Sequence, residues 1–143
     1  MASRFVPVAG DATGYPKPGV PLGGTDAVIA ALARHLRKHG IRRIVVNTYY
    51  MPEVVKRELS RVDGVSFAYV DEEAPSGTAG GLAKAIRAGL VDMGKPLLVM
   101  QGDAVTDADL SALLRAHQAH PAWVTLGTKP ILDAECALMA VLA

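Results

Sequence analysis

Asp103 follows Gly102 at the end of an apolar run, Leu97 to Gln101, and shortly precedes a helix-start signal at Thr106-Asp107. This puts one carboxylate at the carboxyl end of a buried strand, the edge of an open α/β sheet at which ligands bind. A carboxylate there could ligate Mg²⁺, which takes oxygen ligands and keeps water and substrate phosphates around it. The competing role is a turn aspartate that holds a strand–helix loop. A second feature faces the same edge: Gly77-Thr78-Ala79-Gly80-Gly81 opens a helix. Glycine lets a backbone approach a ligand closely, and a helix start offers free N–H groups. The same residues also suit an ordinary loop-to-helix turn with a threonine cap, and they do not match the dinucleotide fingerprint G-x-G-x-x-G. Lys17, stiffened between Pro16 and Pro18, could neutralise phosphate oxygens at low ordering cost, or be a plain loop lysine. Together these residues suggest a metal–phosphate site.

The elements that must position them follow from periodicity and punctuation. Residues 1–24 hold Pro7, Pro16, Pro18 and Pro21 among five glycines and read as a long irregular loop. Thr25 reads as a helix cap with Asp26 in the first turn, followed by the stripe Val28, Ile29, Leu32 and Leu36 and a stop at Gly40. Ile41 to Val46 reads as a strand ending at Asn47-Thr48. Pro52 opens a helix with Val54, Val55 and Leu59 on its apolar face. Val65 to Val70 is the next strand, Thr78 to Val91 a helix with Leu82, Ala83, Ile86 and Leu90 inward, and Pro96 to Gln101 a strand. Thr106 and Asp109 approximate a capping box for a helix carrying Leu110, Leu113 and Leu114. Trp123 to Leu126 is a further strand, and residues 131–143 read as a truncated one. The alternation predicts an α/β, Rossmann-like fold, a mostly parallel sheet with helices on both faces. The first helix has no strand before it, so one member of the βαβ pattern is missing.

The chain has 143 residues, enough for one domain with a core, and a net charge of +1. No basic footprint for nucleic acid exists; the densest positive stretch, from Arg34 to Arg43, reads as a solvated helix face and its exit loop. Cys136 is the only cysteine, which excludes an internal disulfide and is compatible with a cytoplasmic location. No signal peptide and no apolar run of membrane-spanning length is present. His35 and His39, four residues apart, have no partner acid and read as surface residues rather than metal ligands. Tyr49 and Tyr50 read as strand-end packing, with a sugar pocket as the alternative. Association of copies into a homo-oligomer stays open.

Four segments, in order, carry a family resemblance. Pro16-Lys17-Pro18-Gly19-Val20-Pro21 resembles the P-K-P-x-V-P segment of the sugar-1-phosphate nucleotidyltransferases, and Asn47-Thr48-Tyr49-Tyr50 their N-T-H-Y turn. The stretch from Asp71 to Leu82 is similar to their D-E-x-x-P-L-G-T-A-G-x-L loop. Val99-Met100-Gln101-Gly102-Asp103-Ala104-Val105-Thr106 is similar to V-x-N-G-D-V-L-T. The resemblance covers about residues 4 to 139 and implies that a nucleoside triphosphate and a sugar 1-phosphate give an NDP-sugar and pyrophosphate. It implies catalytic roles for Lys17 and Asp103, Mg²⁺ on Asp103, and nucleotide contacts from Gly77, Thr78, Ala79, Gly80 and Gly102. Its Gly-Thr-Ala-Gly turn leans toward guanylyl or uridylyl transfer.

The chain also departs from the pattern. Only Arg4-Phe5-Val6-Pro7 resembles the end of the family's opening G-x-G-T-R loop, and Cys136-Ala137-Leu138-Met139 resembles the start of a Y-G-V-V strand. The family's later metal-binding aspartate and its sugar-contacting E-K segment lie beyond the matched residues. The expectation is a partial nucleotidyltransferase domain over residues 1–143. A non-catalytic nucleotidyltransferase-like binding or regulatory module, or an inactive fragment, is the alternative.

Overall fold

The structure, a computed structural model, describes residues 15–23, 26–120, 122–128 and 139–142. Its centre is a parallel pair, β3 (Arg43–Thr48) with β4 (Ser66–Asp71), in register from Arg43 opposite Ser66 to Thr48 opposite Asp71. The connection between them is α2 (Pro52–Leu59), where Pro52 occupies the first turn and Met51 takes the left-handed conformation just before it, φ 50°. Proline suits that position because the N–H it lacks would have no helical partner. Side chains alternate across the pair. Ile44 and Val46 with Phe67 and Tyr69 line a core with Val55, Leu59 and Val62, and the face that bears Asn47 receives α3 (Gly77–Arg87).

Helix α1 (Val28–Lys38) buries Val28, Ile29, Ala30, Leu32, Ala33 and Leu36. Ile29, Ala30 and Ala33 join the core under α2, while Leu32 and Leu36 join Leu110, Leu98 and Met100 in a second cluster. Two short strands, β1 (Pro21–Leu22) and β2 (Asp26–Ala27), pair antiparallel just before it. Asp26 therefore lies in a strand, not in the first turn of a helix. Its carboxylate takes Arg34 at 2.6 Å instead, an ion pair that draws it across the helix start. The region expected to be irregular is ordered from residue 15: Pro16 and Pro18 preset the backbone for a single 3-10 turn over Lys17–Gly19, closed by the Gly19 N–H on the Pro16 carbonyl at 2.8 Å. Residues 1–14, 24 and 25, and with them Arg4 to Pro7 and the proposed Thr25 cap, lie outside the described residues, as does Cys136.

The second sheet has the order β5 (Leu97–Val99), β7 (Met139–Leu142), β6 (Val124–Gly127), with β7 antiparallel to both neighbours. β5 and β6 thus run the same way, joined across α4 (Leu110–Ala119), and β7 lies between them. The α/β architecture expected from the alternation is present; the antiparallel insertion is the feature that alternation alone does not contain. The cap of α4 is Asp109, whose carboxylate accepts the Ala112 N–H at 2.9 Å. Thr106 does not cap the helix; its hydroxyl accepts the Ala108 N–H at 3.1 Å and shapes the approach loop. Among the described residues β3 bonds to β4 alone and β5 to β7 alone, so an edge of each remains unpaired.

Leu59, 1% exposed, is the largest fully buried side chain among the described residues. Leu59→Ala is expected to lower the unfolding free energy by about 3 kcal/mol, and Asp109→Ala, which removes a cap, by about 1 kcal/mol. Urea midpoints at unchanged slope measure both.

Candidate functional site

Helix α1 ends at Lys38 and β3 begins at Arg43, so the two run in opposite senses and the start of α1 lies at the carboxyl end of β3. The turn after β5 reaches the same place. A Cβ placed on Gly102 would lie 3.1 Å from the Ile29 Cδ1 in the first turn of α1 and 4.0 Å from the Pro18 Cγ. The Gly102-Asp103 turn is therefore seated between α1 and the turn that carries Lys17. Asp103 is exposed and Lys17 half-buried. Two of the segments singled out in the sequence thus approach each other at one edge.

The Gly77 turn is organised separately, by Glu72 at the end of β4. The Glu72 side chain is only 3% exposed. Its Oε1 accepts Lys84 Nζ at 2.7 Å and the Ser76 hydroxyl, and its Oε2 accepts Asn47 Nδ2 at 3.2 Å and the Ser76 N–H at 3.4 Å. Lys84 above all, then Ser76 and Asn47, hold the Glu72 carboxyl well below the ordinary 4.5, at about 2, against an opposing effect of burial. The glycines of the turn serve this packing. Gly77 has φ 74°; a Cβ on Gly80 would fall 2.5 Å from the Ser76 side chain, and one on Gly81 2.5 Å from Asn47 Nδ2. Close approach at Gly80 and Gly81 is thus to the protein's own side chains. Ser76, at the cap position of α3, donates its hydroxyl to Glu72 and makes no side-chain cap.

Asp71, one residue earlier, points to the opposite face. It accepts Lys56 Nζ at 2.8 Å and the Thr48 hydroxyl, and these bonds lower its pKa. Asp71 in turn raises the pKa of Lys56, and burial raises that of Tyr69, whose ring lies 5.5 Å from Lys56 Nζ. This cluster ties α2 to the ends of β3 and β4. Neither Glu72 nor Lys56 was assigned a role from the sequence; the one local signal is that Glu72 directly follows the β4 run.

Among the described residues no three His, Cys, Asp or Glu side chains gather as a metal cage. A lone carboxylate fits Mg²⁺ only as a partial ligand set, with the remaining oxygens drawn from phosphates and water. Two open cavities, of about 160 and 260 Å³, are lined by neither Lys17, Asp103 nor Gly77–Gly80, although Gly19 and Pro21 line the first and Leu82 the second. His35 and His39 clasp α1 to α4 rather than face a metal: His35 Nε2 lies 2.9 Å from the Ala108 carbonyl and His39 Nδ1 2.9 Å from the Ser111 hydroxyl. Tyr49 and Tyr50 are 50% and 63% exposed, so they do not pack the strand end as expected.

Residues 2–135 match the family model described as Nucleotidyl transferase. The chain belongs to the nucleotidyl transferase family. It is 35% identical over 113 residues to a mannose-1-phosphate guanylyltransferase of Mycobacterium tuberculosis, covering 78% of this chain and 30% of that protein. It is 28% identical over 121 residues to a D-glycero-alpha-D-manno-heptose 1-phosphate guanylyltransferase of Aneurinibacillus thermoaerophilus, covering 84% of this chain and 51% of that one. The crystal structure of HddC from Yersinia pseudotuberculosis superposes with a TM-score of 0.73 at 16% identity, over 90% of this chain and 68% of that chain, which shows the shared fold. The chain therefore spans between about a third and a half of the length of these two curated relatives.

The Glu72 carboxyl is lower in the folded than in the unfolded protein. Its contribution to stability is complete above the ordinary value of 4.5 and is lost as the pH falls toward about 2. Thermal midpoints recorded from pH 6 to pH 2 are expected to fall less steeply through this window for Glu72→Gln than for the unaltered chain.

Proposed function

We propose that the chain carries out, or forms the nucleotide-handling part of, a guanylyl transfer in which GTP and a manno-configured sugar 1-phosphate give a GDP-sugar and pyrophosphate. An oxygen of the sugar phosphate attacks the α-phosphorus, the bond to the bridging oxygen of the β-phosphate breaks, and pyrophosphate leaves with that electron pair. Such a transfer depends on positioning and charge neutralisation more than on covalent help. The observation that carries the reading is the seating of the Gly102-Asp103 turn against the Lys17 turn at the carboxyl edge of the strands. Family membership and the guanylyltransferase relatives support the choice of substrates.

In this reading Lys17 neutralises phosphate oxygens, and Gly77, Thr78, Ala79, Gly80 and Gly102 pass their backbones along the nucleotide. Asp103 holds Mg²⁺, which when bound offsets the charge of the triphosphate. A nucleoside triphosphate substrate is consistent with a cytoplasmic location. Among the described residues no helix is long and apolar enough to cross a membrane. A second reading is a nucleotide-sugar-binding module without turnover: Asp103 is a lone carboxylate at the strand edge, and among the described residues no group of three His, Cys, Asp or Glu side chains completes a ligand set around it.

Pyrophosphate release with GTP, UTP, ATP and dTTP against mannose, heptose and glucose 1-phosphates decides between them. The expected result is turnover with GTP and mannose or heptose 1-phosphate, magnesium-dependent, and reduced at least about 100-fold in Asp103→Ala with an unchanged circular dichroism spectrum. Binding of a GDP-sugar without pyrophosphate release, and insensitive to Asp103→Ala, would establish the second reading instead.

A further inference from the structure

The buried carboxylate of Glu72 grips the Gly77 turn at both ends. On one side it receives the N–H and hydroxyl of Ser76, the residue directly before Gly77. On the other it receives Lys84, which stands two helical turns into α3 and on the same face as Gly77. Asn47, from the end of β3, completes the set and lies under Gly81. A carboxylate this enclosed is stable only while its partners stay in place, so the network resists displacement of the backbone between Ser76 and Lys84. Ser76 stands where the D-E-x-x-P-L-G-T-A-G-x-L pattern has leucine, whose side chain has no donor to offer a carboxylate. The hydroxyl bond at that end therefore comes with Ser76, whereas the backbone N–H bond does not depend on the side chain.

We propose that Glu72 and Lys84 are positioning residues for nucleotide recognition: the pair pre-sets the Gly77–Gly80 turn in the conformation that receives the nucleotide. This rests on the nucleotidyltransferase reading above. A turn already held in its bound shape has less freedom to lose on association. Releasing it raises the KM for the triphosphate, leaving the chemical step and the sugar phosphate untouched. Asp71 does not share the role, because its side chain faces Lys56 and Thr48 across the sheet.

The test measures steady-state kinetics and amide hydrogen exchange at residues 76–80 for the unaltered chain, Glu72→Gln, Lys84→Met and Lys84→Arg. Lys84→Met keeps the apolar stem but leaves the enclosed carboxylate without its cation, so Glu72→Gln, which removes the charge at nearly constant size, serves as the milder variant should Lys84→Met fail to fold. The expected result for Glu72→Gln and Lys84→Met is a KM for the nucleoside triphosphate raised about 10-fold, with kcat and the KM for sugar phosphate within about twofold. Faster exchange at residues 76–80 accompanies it, and Lys84→Arg keeps both near the unaltered values. An unchanged triphosphate KM, or a parallel loss in kcat, overturns the positioning role while leaving the nucleotidyltransferase reading intact. If the unaltered chain turns over no substrate pair, that reading fails instead, and hydrogen exchange alone decides whether the pair sets the turn: unchanged exchange in both variants overturns it.

Discussion

Burial of one face of α1 holds the two sheets to each other. The helix sends Ile29, Ala30 and Ala33 toward α2 and the β3–β4 pair, and Leu32 and Leu36 toward Leu98, Met100 and Leu110. Apolar packing of this kind is non-directional but dense, so it fixes distance well and tolerates little vacant volume. The position of Asp103 follows from it. Gly102 rests on Ile29, and the turn it belongs to is closed by the Ala104 N–H on the Gln101 carbonyl at 3.4 Å. The small residues Ala30 and Ala33, 2% and 0% exposed, let neighbouring elements come close along the middle of the helix.

Polar chemistry takes over where the strands end. Asp71 and Glu72 are adjacent in sequence yet serve opposite faces of one sheet, as strand alternation requires. Each is surrounded by donors from elements far apart in the chain: Lys56 and Thr48 for the first, Lys84, Ser76 and Asn47 for the second. The apolar layers set where the elements lie, and these carboxylates set how the turns between them are oriented.

The helical stripes and β-branched runs were legible because their periods are properties of the backbone itself. The segments around Val28–Leu36, Ile44–Val46 and Phe67–Tyr69 stand where their patterns place them. Features decided by long-range partners were not. Asp26 has the right type for a helix first turn, but Arg34 and a two-residue strand pairing claim it. Asp109 outcompetes Thr106 as the cap because its carboxylate alone reaches the Ala112 N–H. The insertion of β7 between β5 and β6 depends on pairing across more than forty residues, which no local pattern encodes. Of the candidate site, the Lys17 and Asp103 segments were singled out by their punctuation together with the family resemblance. Glu72 and Lys84 were not, because a charged residue is read as solvated until its burial is seen.

Trp123 is the only tryptophan in the chain, and it is 85% exposed. It stands at the rim of the apolar cavity of about 260 Å³ formed with Leu82, Ile86, Met93, Leu97 and Val124. Every other indole signal is absent, so the emission of this protein reports on a single location. Its wavelength registers whether water or a nonpolar body lies against that rim, which gives the molecule an intrinsic optical gauge at a cavity that neither Lys17 nor Asp103 lines.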